Sequence, residues 1–381
     1  MKIIALNSSK NWGGNERWLT SAMNALALNN HSIFLVHRKH ATHWKNLHPS
    51  IKLIDAPYTN ELSIKTKSII REIIDENDID ILLSTKRKDY ILAAQIKNKV
   101  NVSHIMRLGI SRPILKRDFI QRYIISNQVD GIIVNAIALK KELLSYKFIK
   151  RNFNSDNIVC IHNGYDTLRA HNDNEVNKNR IFKIRSAGRL TVHKGYDILI
   201  ESLRKFDEFN IKYKIEIAGD GPEFNNLNNL INKYNLQNNC ELVGLNNDIV
   251  SFFNGADLVV IPSRSEGIPN TLFEAWMAKK PVIATNVGGV SEAIDHEVNG
   301  IICEPKSDEL LTAFKNFINN KNLYKDMGRN GYSTLIESFS MATMTKKLEN
   351  YFQSFIKYNF CNYVKKFINT TETQIASKNN R

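Results

Sequence analysis

Short apolar runs alternate with segments of helical periodicity along almost the whole chain, and this alternation restricts the fold more than any other feature. It begins with KIIALN, the helix-like ERWLTSAMNALALNN, SIFLVH, IKLIDA and SIKTKSIIREIIDEN, and continues through DILLST, NVSHIMR, DGIIVNA and NIVCIHN. Such runs are typical of strands covered on both faces, so the pattern predicts a parallel sheet with helices on either side. The stretch GYDTLRAHNDNEVNKNR, residues 164–180, has too few apolar side chains to bury itself and reads as a linker. A second series follows: IFKIRSAGR, YKIEIAGDG, CELVG, DLVVIPS, PVIATN and GIICEP. Between them lie helices such as KGYDILIESLRKF, whose Ile198, Leu199, Leu203 and Phe206 fall near one face. The expected architecture is therefore α/β, with two doubly wound Rossmann-like domains facing each other across a cleft. The expected boundaries are residues 1–165, a linker at 166–180 and residues 181–340. Residues 341–366 read as an amphipathic helix and 367–381 as a disordered polar tail.

At 381 residues the chain exceeds one comfortable hydrophobic core, which agrees with two domains. No run approaches the roughly 20 apolar residues that a membrane-spanning helix needs. The amino terminus MKIIALNSSK suits a buried first strand better than a signal peptide, and a cytoplasmic protein is expected. Cys160, Cys240, Cys303 and Cys361 show no metal-ligand spacing and read as buried thiols. The net charge of +14 is uneven: residues 1–170 hold 26 Lys/Arg against 14 Asp/Glu, and the remainder 26 against 24. Phospholipid headgroups, a lipid-linked phosphate acceptor, nucleic acid or simply a solvated face would each account for the excess.

Open parallel sheets bind ligands beyond the carboxyl ends of their strands, so chemistry is expected in the loops there. After the first strand, NSSKNWGGNERW sets Gly13 and Gly14 before a long helix. Close backbone approach and free amides at a helix terminus suit a phosphate, although a plain tight turn explains the pair equally well. The loop has neither GxGxxG nor a terminal GKS/T. In RSAGRLTVHKGYDIL, Arg189 follows a strand and Lys194 stands at the expected start of a helix, where its charge opposes the dipole. Two such cations form a clamp for a diphosphate or else are merely solvated. Gly219, Asp220 and Gly221 in EIAGDGPEF make a turn that shapes a pocket floor without chemistry of its own.

The stretch PSRSEGIPNTLFEAWMAKKPVIATNVGG holds two glutamates seven residues apart. Glu266 lies in the loop after a strand, and Glu274 lies one turn into a helix that Asn270 or Thr271 would cap. Both carboxylates can face one cavity from two levels and accept from the paired hydroxyls of sugars, Glu274 from a ribose and Glu266 from a hexose. The free amides of residues 270–272 suit phosphate oxygens. An acid and base pair of a glycoside hydrolase is the alternative, but a hydrolase needs no anion site between its carboxylates.

The motifs GGNER, IHNGYD, GRLTVHKGYDILIESL, IAGDGPE, EGIPNTLFEAWMAKKPVIATNVGGVSEAI and NGIICEP span nearly the whole chain. In that order they resemble the retaining, metal-independent sugar-nucleotide glycosyltransferases of family 4, with the GT-B fold. The resemblance implies transfer from a nucleotide-diphosphate sugar to a glycan or lipid-linked acceptor, in cell-surface polysaccharide or lipopolysaccharide synthesis. It implies that Arg189 and Lys194 bind the donor diphosphate and Glu274 the ribose. Glu266, with the amides that follow it through Gly267, Ile268, Asn270, Thr271 and Leu272, would contact the transferred sugar. Gly13 and Gly14 would close over the diphosphate from the first domain, to which the last helix returns. Catalysis would rest on Glu266, Arg189 and Lys194 positioning the donor and stabilising its charge, with no protein nucleophile, cofactor or metal. Many members carry a histidine after a mid-domain strand; His104 is a candidate, Arg107 an equal one, and a buried strand histidine is the other reading of His104. Lys86, Arg87, Lys88, Arg112, Lys116, Arg117 and Arg122 could hold the first domain against an anionic membrane.

Three rivals remain to be weighed. A sugar-nucleotide epimerase of the same architecture stands nearest. A nucleic-acid-binding protein would leave the Glu-seven-Glu stretch unexplained and has no motif here, so no nucleic-acid partner is expected. A nicotinamide oxidoreductase would need the missing glycine fingerprint. Asp78 and Asp80 precede a strand, the wrong end of a sheet for a metal-diphosphate site.

Overall fold

The computed structural model describes residues 1–356 except 12, 42–43, 110–117, 168–180, 210, 321–323 and 325. The expected linker beyond residue 167, the end of the expected last helix, the polar tail, Cys361, Arg112, Lys116 and Arg117 lie outside the described residues. The chain divides into two units: Met1–Gly164 with the chain from Met341 onward, and Tyr165–Ser340.

All thirteen apolar runs are strands. In unit 1 they are β1 (Lys2–Asn7), β2 (Ser32–Arg38), β3 (Lys52–Ala56), β4 (Ile81–Ser84), β5 (Ser103–Leu108), β6 (Gly131–Val134) and β7 (Ile158–Cys160). The sheet runs β3-β2-β1-β4-β5-β6-β7 and is parallel throughout. Unit 2 has β8 (Phe182–Ala187), β9 (Tyr213–Ala218), β10 (Cys240–Gly244), β11 (Leu258–Ile261), β12 (Val282–Thr285) and β13 (Ile301–Cys303). Its order, β10-β9-β8-β11-β12-β13, repeats that of the first sheet one strand short, and it too is parallel. In each sheet the first strand lies beside the fourth. Chain direction across the sheet reverses there, the loops part, and a crevice opens at the carboxyl ends.

Burial explains why these runs read as continuous. Ile3, Ile4, Ala5 and Leu6 of β1 are all fully buried, but alternate residues face opposite sides. Ile3 and Ala5 pack with Trp18, Leu19 and Met23 of the helix Gly14–Leu28, while Ile4 and Leu6 pack with Tyr58, Ile70 and Leu92. In β11 the same division sends Leu258 and Val260 into one core and Val259 and Ile261 into another. Each such side chain contributes roughly 1.5–3 kcal/mol when fully buried. Residues 341–356 are helical, and Met344, Leu348, Tyr351, Phe352 and Phe355, at helical spacing, complete the Ile3 core of unit 1. The Tyr351 hydroxyl donates to the Asn157 carbonyl at 2.7 Å beside β7. Among the described residues no helix is long and apolar enough to cross a membrane.

Candidate active site

In unit 2 the loop after β8 leads through Arg189 to a short 3-10 turn, Val192–Lys194, before the helix Tyr196–Ser202. Lys194 therefore precedes the helix instead of opening it. Gly195 has φ +66°, and a Cβ there would overlap the Pro262 carbonyl, so glycine brings this loop against the end of β11. The Arg264 amide donates to the His193 carbonyl at 2.7 Å, and the Arg264 guanidinium grips Asp197 with two bonds of 2.6 and 2.7 Å. This tie places Glu266 beside Lys194. The Lys194 ammonium forms an ion pair with Glu266 Oε1, to which Ser263 Oγ also donates at 3.1 Å. Gly288, φ +58°, closes the other side: a Cβ would overlap the Glu266 carbonyl, and the Gly289 amide donates to the Gly267 carbonyl at 3.1 Å. The Tyr196 phenol, buried next to Gly188, is pushed above its ordinary pKa by burial and then by the Glu266 charge.

These contacts add one pairing and correct one expectation. Lys194 already has Glu266 as a counter-charge. The helix Asn270–Met277 is capped by neither Asn270 nor Thr271; its N-cap is Pro269, whose ring carries no group that could accept a hydrogen bond. Asn270 Oδ1 instead accepts from the Tyr165 hydroxyl, and Thr271 is buried. Leu272 N–H turns back to the Pro269 carbonyl at 3.1 Å, while among the described residues nothing accepts from the amides of Asn270 and Thr271. Leu272, Phe273, Ala275 and Trp276 are buried, which leaves Glu274 half-buried one turn from the helix start. Gly267 is exposed, and Ile268 packs against the Phe273 core. A cavity of about 480 Å³ opens beyond β8, β9 and β10, lined by Gly188, Arg189, Gly219, Asp220, Leu245 and Ile249 among others. Neither glutamate lines it. The apolar part contributed by Leu245 and Ile249 escaped sequence reasoning; the run CELVGLNND places it just past a strand end.

Unit 1 has its own cavity, about 870 Å³, at the ends of β1, β2, β4, β5, β6 and β7. Gly13 and Gly14 line it, with Gly13 as the extended N-cap of the helix Gly14–Leu28 and open space beside Gly14. Glu16, 2% exposed, accepts from Lys86 Nζ at 2.8 Å and Asn7 Nδ2 at 3.1 Å. Burial pushes its carboxyl up, but Lys86 and Asn7 together outweigh burial and hold its pKa below the ordinary value. Asp89, fully buried, accepts from the Ser8 amide at 3.0 Å, the Lys86 amide at 2.9 Å and Thr85 Oγ1 at 3.2 Å. Burial raises it to about 7 against those bonds. Arg107, 3% exposed, donates to Asn15 Oδ1 at 2.6 Å and Asn163 Oδ1 at 3.3 Å, and lies 4.0 Å from the centre of the Trp18 ring.

His104 does not belong to this cavity. It stands near the amino end of β5, fully buried, with Nε2 2.7 Å from Ser84 Oγ and Nδ1 2.7 Å from the Gln128 carbonyl. Burial lowers its pKa to about 4, so it is a neutral core histidine, and the catalytic expectation for it gives way to this structural one. Arg107, three residues nearer the carboxyl end of the same strand, lines the cavity instead. Lys86, Arg87 and Lys88 line it as well, with Lys86 paired to Glu16, and Arg87 to Glu61 and to Asp118 at 3.4 Å. Lys86 and Arg87 thus carry counter-charges, whereas Lys88 has no carboxylate at ion-pair distance among the described residues.

The family model for "Glycosyl transferases group 1" matches residues 168–334. An uncharacterized glycosyltransferase of Methanocaldococcus jannaschii is 31% identical over 276 residues, 70% of this chain and 74% of its own. The chain belongs to the group 1 glycosyltransferases. Among other relatives of this glycosyltransferase, the capsular polysaccharide biosynthesis glycosyltransferase CapM of Staphylococcus aureus is 27% identical over 57% of this chain and 60% of its own. The crystal structure of Anabaena HepE in complex with UDP superposes with a TM-score of 0.75 at 20% identity, over 93% of this chain and all of that one. That likeness establishes the GT-B fold for the two Rossmann-like units.

Proposed function

We propose that this glycosyltransferase moves a sugar from a nucleoside-diphosphate sugar to a glycan or lipid-linked acceptor with retention of anomeric configuration, in cell-surface polysaccharide or lipopolysaccharide synthesis. The observation that carries the reading is the gathering of Arg189, the Lys194–Glu266 pair and the open amides of Asn270 and Thr271 where the second sheet reverses. A diphosphate accepts from Arg189 and from those amides, and Lys194 stabilises the charge that grows on it as the glycosidic bond breaks. Glu266 Oε2, with no partner among the described residues, accepts from a hydroxyl of the transferred sugar. Glu274 holds the ribose, and the 480 Å³ cavity takes the base. Positioning and charge stabilisation carry the rate in this reading, and a divalent metal is dispensable because cations already attend the leaving group. The role of CapM in capsule synthesis and the UDP bound to HepE support the pathway and donor class.

Thermal-shift screening against uridine, guanosine and adenosine diphosphate sugars tests donor binding, since a ligand of the folded state raises Tm by mass action. One of the three should give a dose-dependent rise that survives EDTA; no response to any would count against the reading. The anomeric configuration of the product, read by NMR, checks retention. Release of free nucleotide with a rearranged sugar and no acceptor product would favour the epimerase.

The same reading places the enzyme at the cytoplasmic face of a membrane. Phe119, Ile120 and Tyr123, 76%, 55% and 56% exposed, lie at the start of the helix Phe119–Gln128 beside Arg122, an apolar patch suited to an anionic interface. Co-sedimentation with anionic vesicles at low salt should be lost in F119S/I120S; failure of the unaltered protein to sediment would remove the membrane from the account.

A further inference from the structure

The unit 1 cavity carries more positive charge than a donor diphosphate site in unit 2 calls for. Of its basic side chains, Lys86 and Arg87 are compensated by carboxylates. Lys10, Arg38, Lys88 and Arg107 line the same cavity with no carboxylate at ion-pair distance among the described residues. Arg107 is the decisive one. A guanidinium withdrawn from water normally meets a counter-charge, yet this one forks onto two neutral amide oxygens and rests over an indole. Asn15, Asn163 and Trp18 explain how the side chain is held; they do not explain why the position is cationic. Burial drags its pKa down to about 10, and the charge of nearby Glu16 offsets only part of that. Arg38 enters from the end of β2, where its Nε donates to the Ser8 carbonyl at 3.0 Å, and its two Nη groups make no hydrogen bond among the described residues.

We propose that this cavity recognises the acceptor through a phosphate group, with Arg107 and Arg38 as its ligands and Lys88 and Lys10 adding charge. Four uncompensated cations exceed what one carboxylate offsets, whereas a phosphate monoester carries close to two negative charges and three acceptor oxygens. The acceptor is thus a phosphorylated glycan or a phosphate-linked carrier, a statement that rests on the donor-and-acceptor reading above. The other source of the same chemistry is the donor's own diphosphate.

Calorimetric titration of the full-length protein with inorganic phosphate and with glycerol 3-phosphate separates the two sources. Each is run alone and after saturation with whichever of UDP, GDP or ADP gives the largest thermal shift. Phosphate should bind in both conditions, R107Q and R38Q should each weaken it at least tenfold, and nucleotide affinity should stay within twofold. Displacement of phosphate by the nucleotide would assign the anion site to the donor and overturn the proposal, as would undiminished phosphate binding in both variants. If R107Q fails to fold, R38Q, on a half-buried side chain, decides alone. Phosphate binding that depends on Arg38 while no nucleotide binds would sink the donor reading and leave the anion site standing.

Discussion

The two sheets share a strand order, yet the crevices at their reversal points are charged by different rules. In unit 2 the lysine of the site is neutralised by a carboxylate of the same site, Lys194 by Glu266, and beside them stand exposed Arg189 and open helix-terminal amides. In unit 1 the Lys86–Glu16 pair sits among Lys10, Arg38, Lys88 and Arg107, which have no carboxylate at ion-pair distance among the described residues, and Arg107 is buried. The first arrangement suits a ligand offering both phosphate and hydroxyl groups; the second suits an anion. One scaffold therefore yields two selectivities, because the loops at the strand ends, and not the strands, carry the charge.

The comparison can be broken by substitution, beginning with the largest effect. Removing the cation in Lys194→Ala takes charge from the leaving diphosphate and leaves Glu266 uncompensated, so kcat should fall on the order of 10²–10³-fold. Phosphate binding by unit 1 should be unchanged, and a loss there would show that the two crevices are not independent. His104 supplies a stability test of unit 1. Its folded pKa of about 4 lies below the ordinary 6.5, so its contribution is complete above pH 6.5 and is lost as pH falls toward 4, by about 3 kcal/mol. Denaturant melts should show His104→Gln gaining on the unaltered protein across that window; parallel pH profiles would mean that the ring titrates normally. Asp89, raised to about 7, works in the opposite direction in both proteins and cancels in this difference. Gly288→Ala forces a Cβ against the Glu266 carbonyl at positive φ and should cost roughly 1–3 kcal/mol, read as a lower Tm with kcat reduced as well. The smallest effect is expected for Glu274→Ala, about a tenfold rise in donor Kd from the lost ribose contact.

How much of this is legible in the sequence follows from where each residue lies along the chain. The strands are legible because each is buried on both faces and flanked by polar punctuation, as KIIALN and DLVVIPS show. Arg189, Lys194, Glu266 and Glu274 are legible because they sit inside two continuous motifs. The Lys194–Glu266 pairing joins residues 72 positions apart, and nothing local announces it. The cap was misread because Asn270 and Thr271 are good capping types, while the chain enters the helix one residue earlier, at Pro269. His104 and Arg107 share one strand, and periodicity alone cannot say which of them reaches the carboxyl end. The unit 1 cavity was least legible: Arg38, Lys86, Arg107 and Asn163 come from four different strand ends, and only the topology assembles them.

Parallel titrations of the best-binding nucleoside diphosphate into Glu274→Ala and Arg107→Gln test the division between the two crevices most directly. The account predicts about tenfold weaker binding in the first variant and affinity within twofold of the unaltered protein in the second. Weakened nucleotide binding in Arg107→Gln together with intact binding in Glu274→Ala would contradict it.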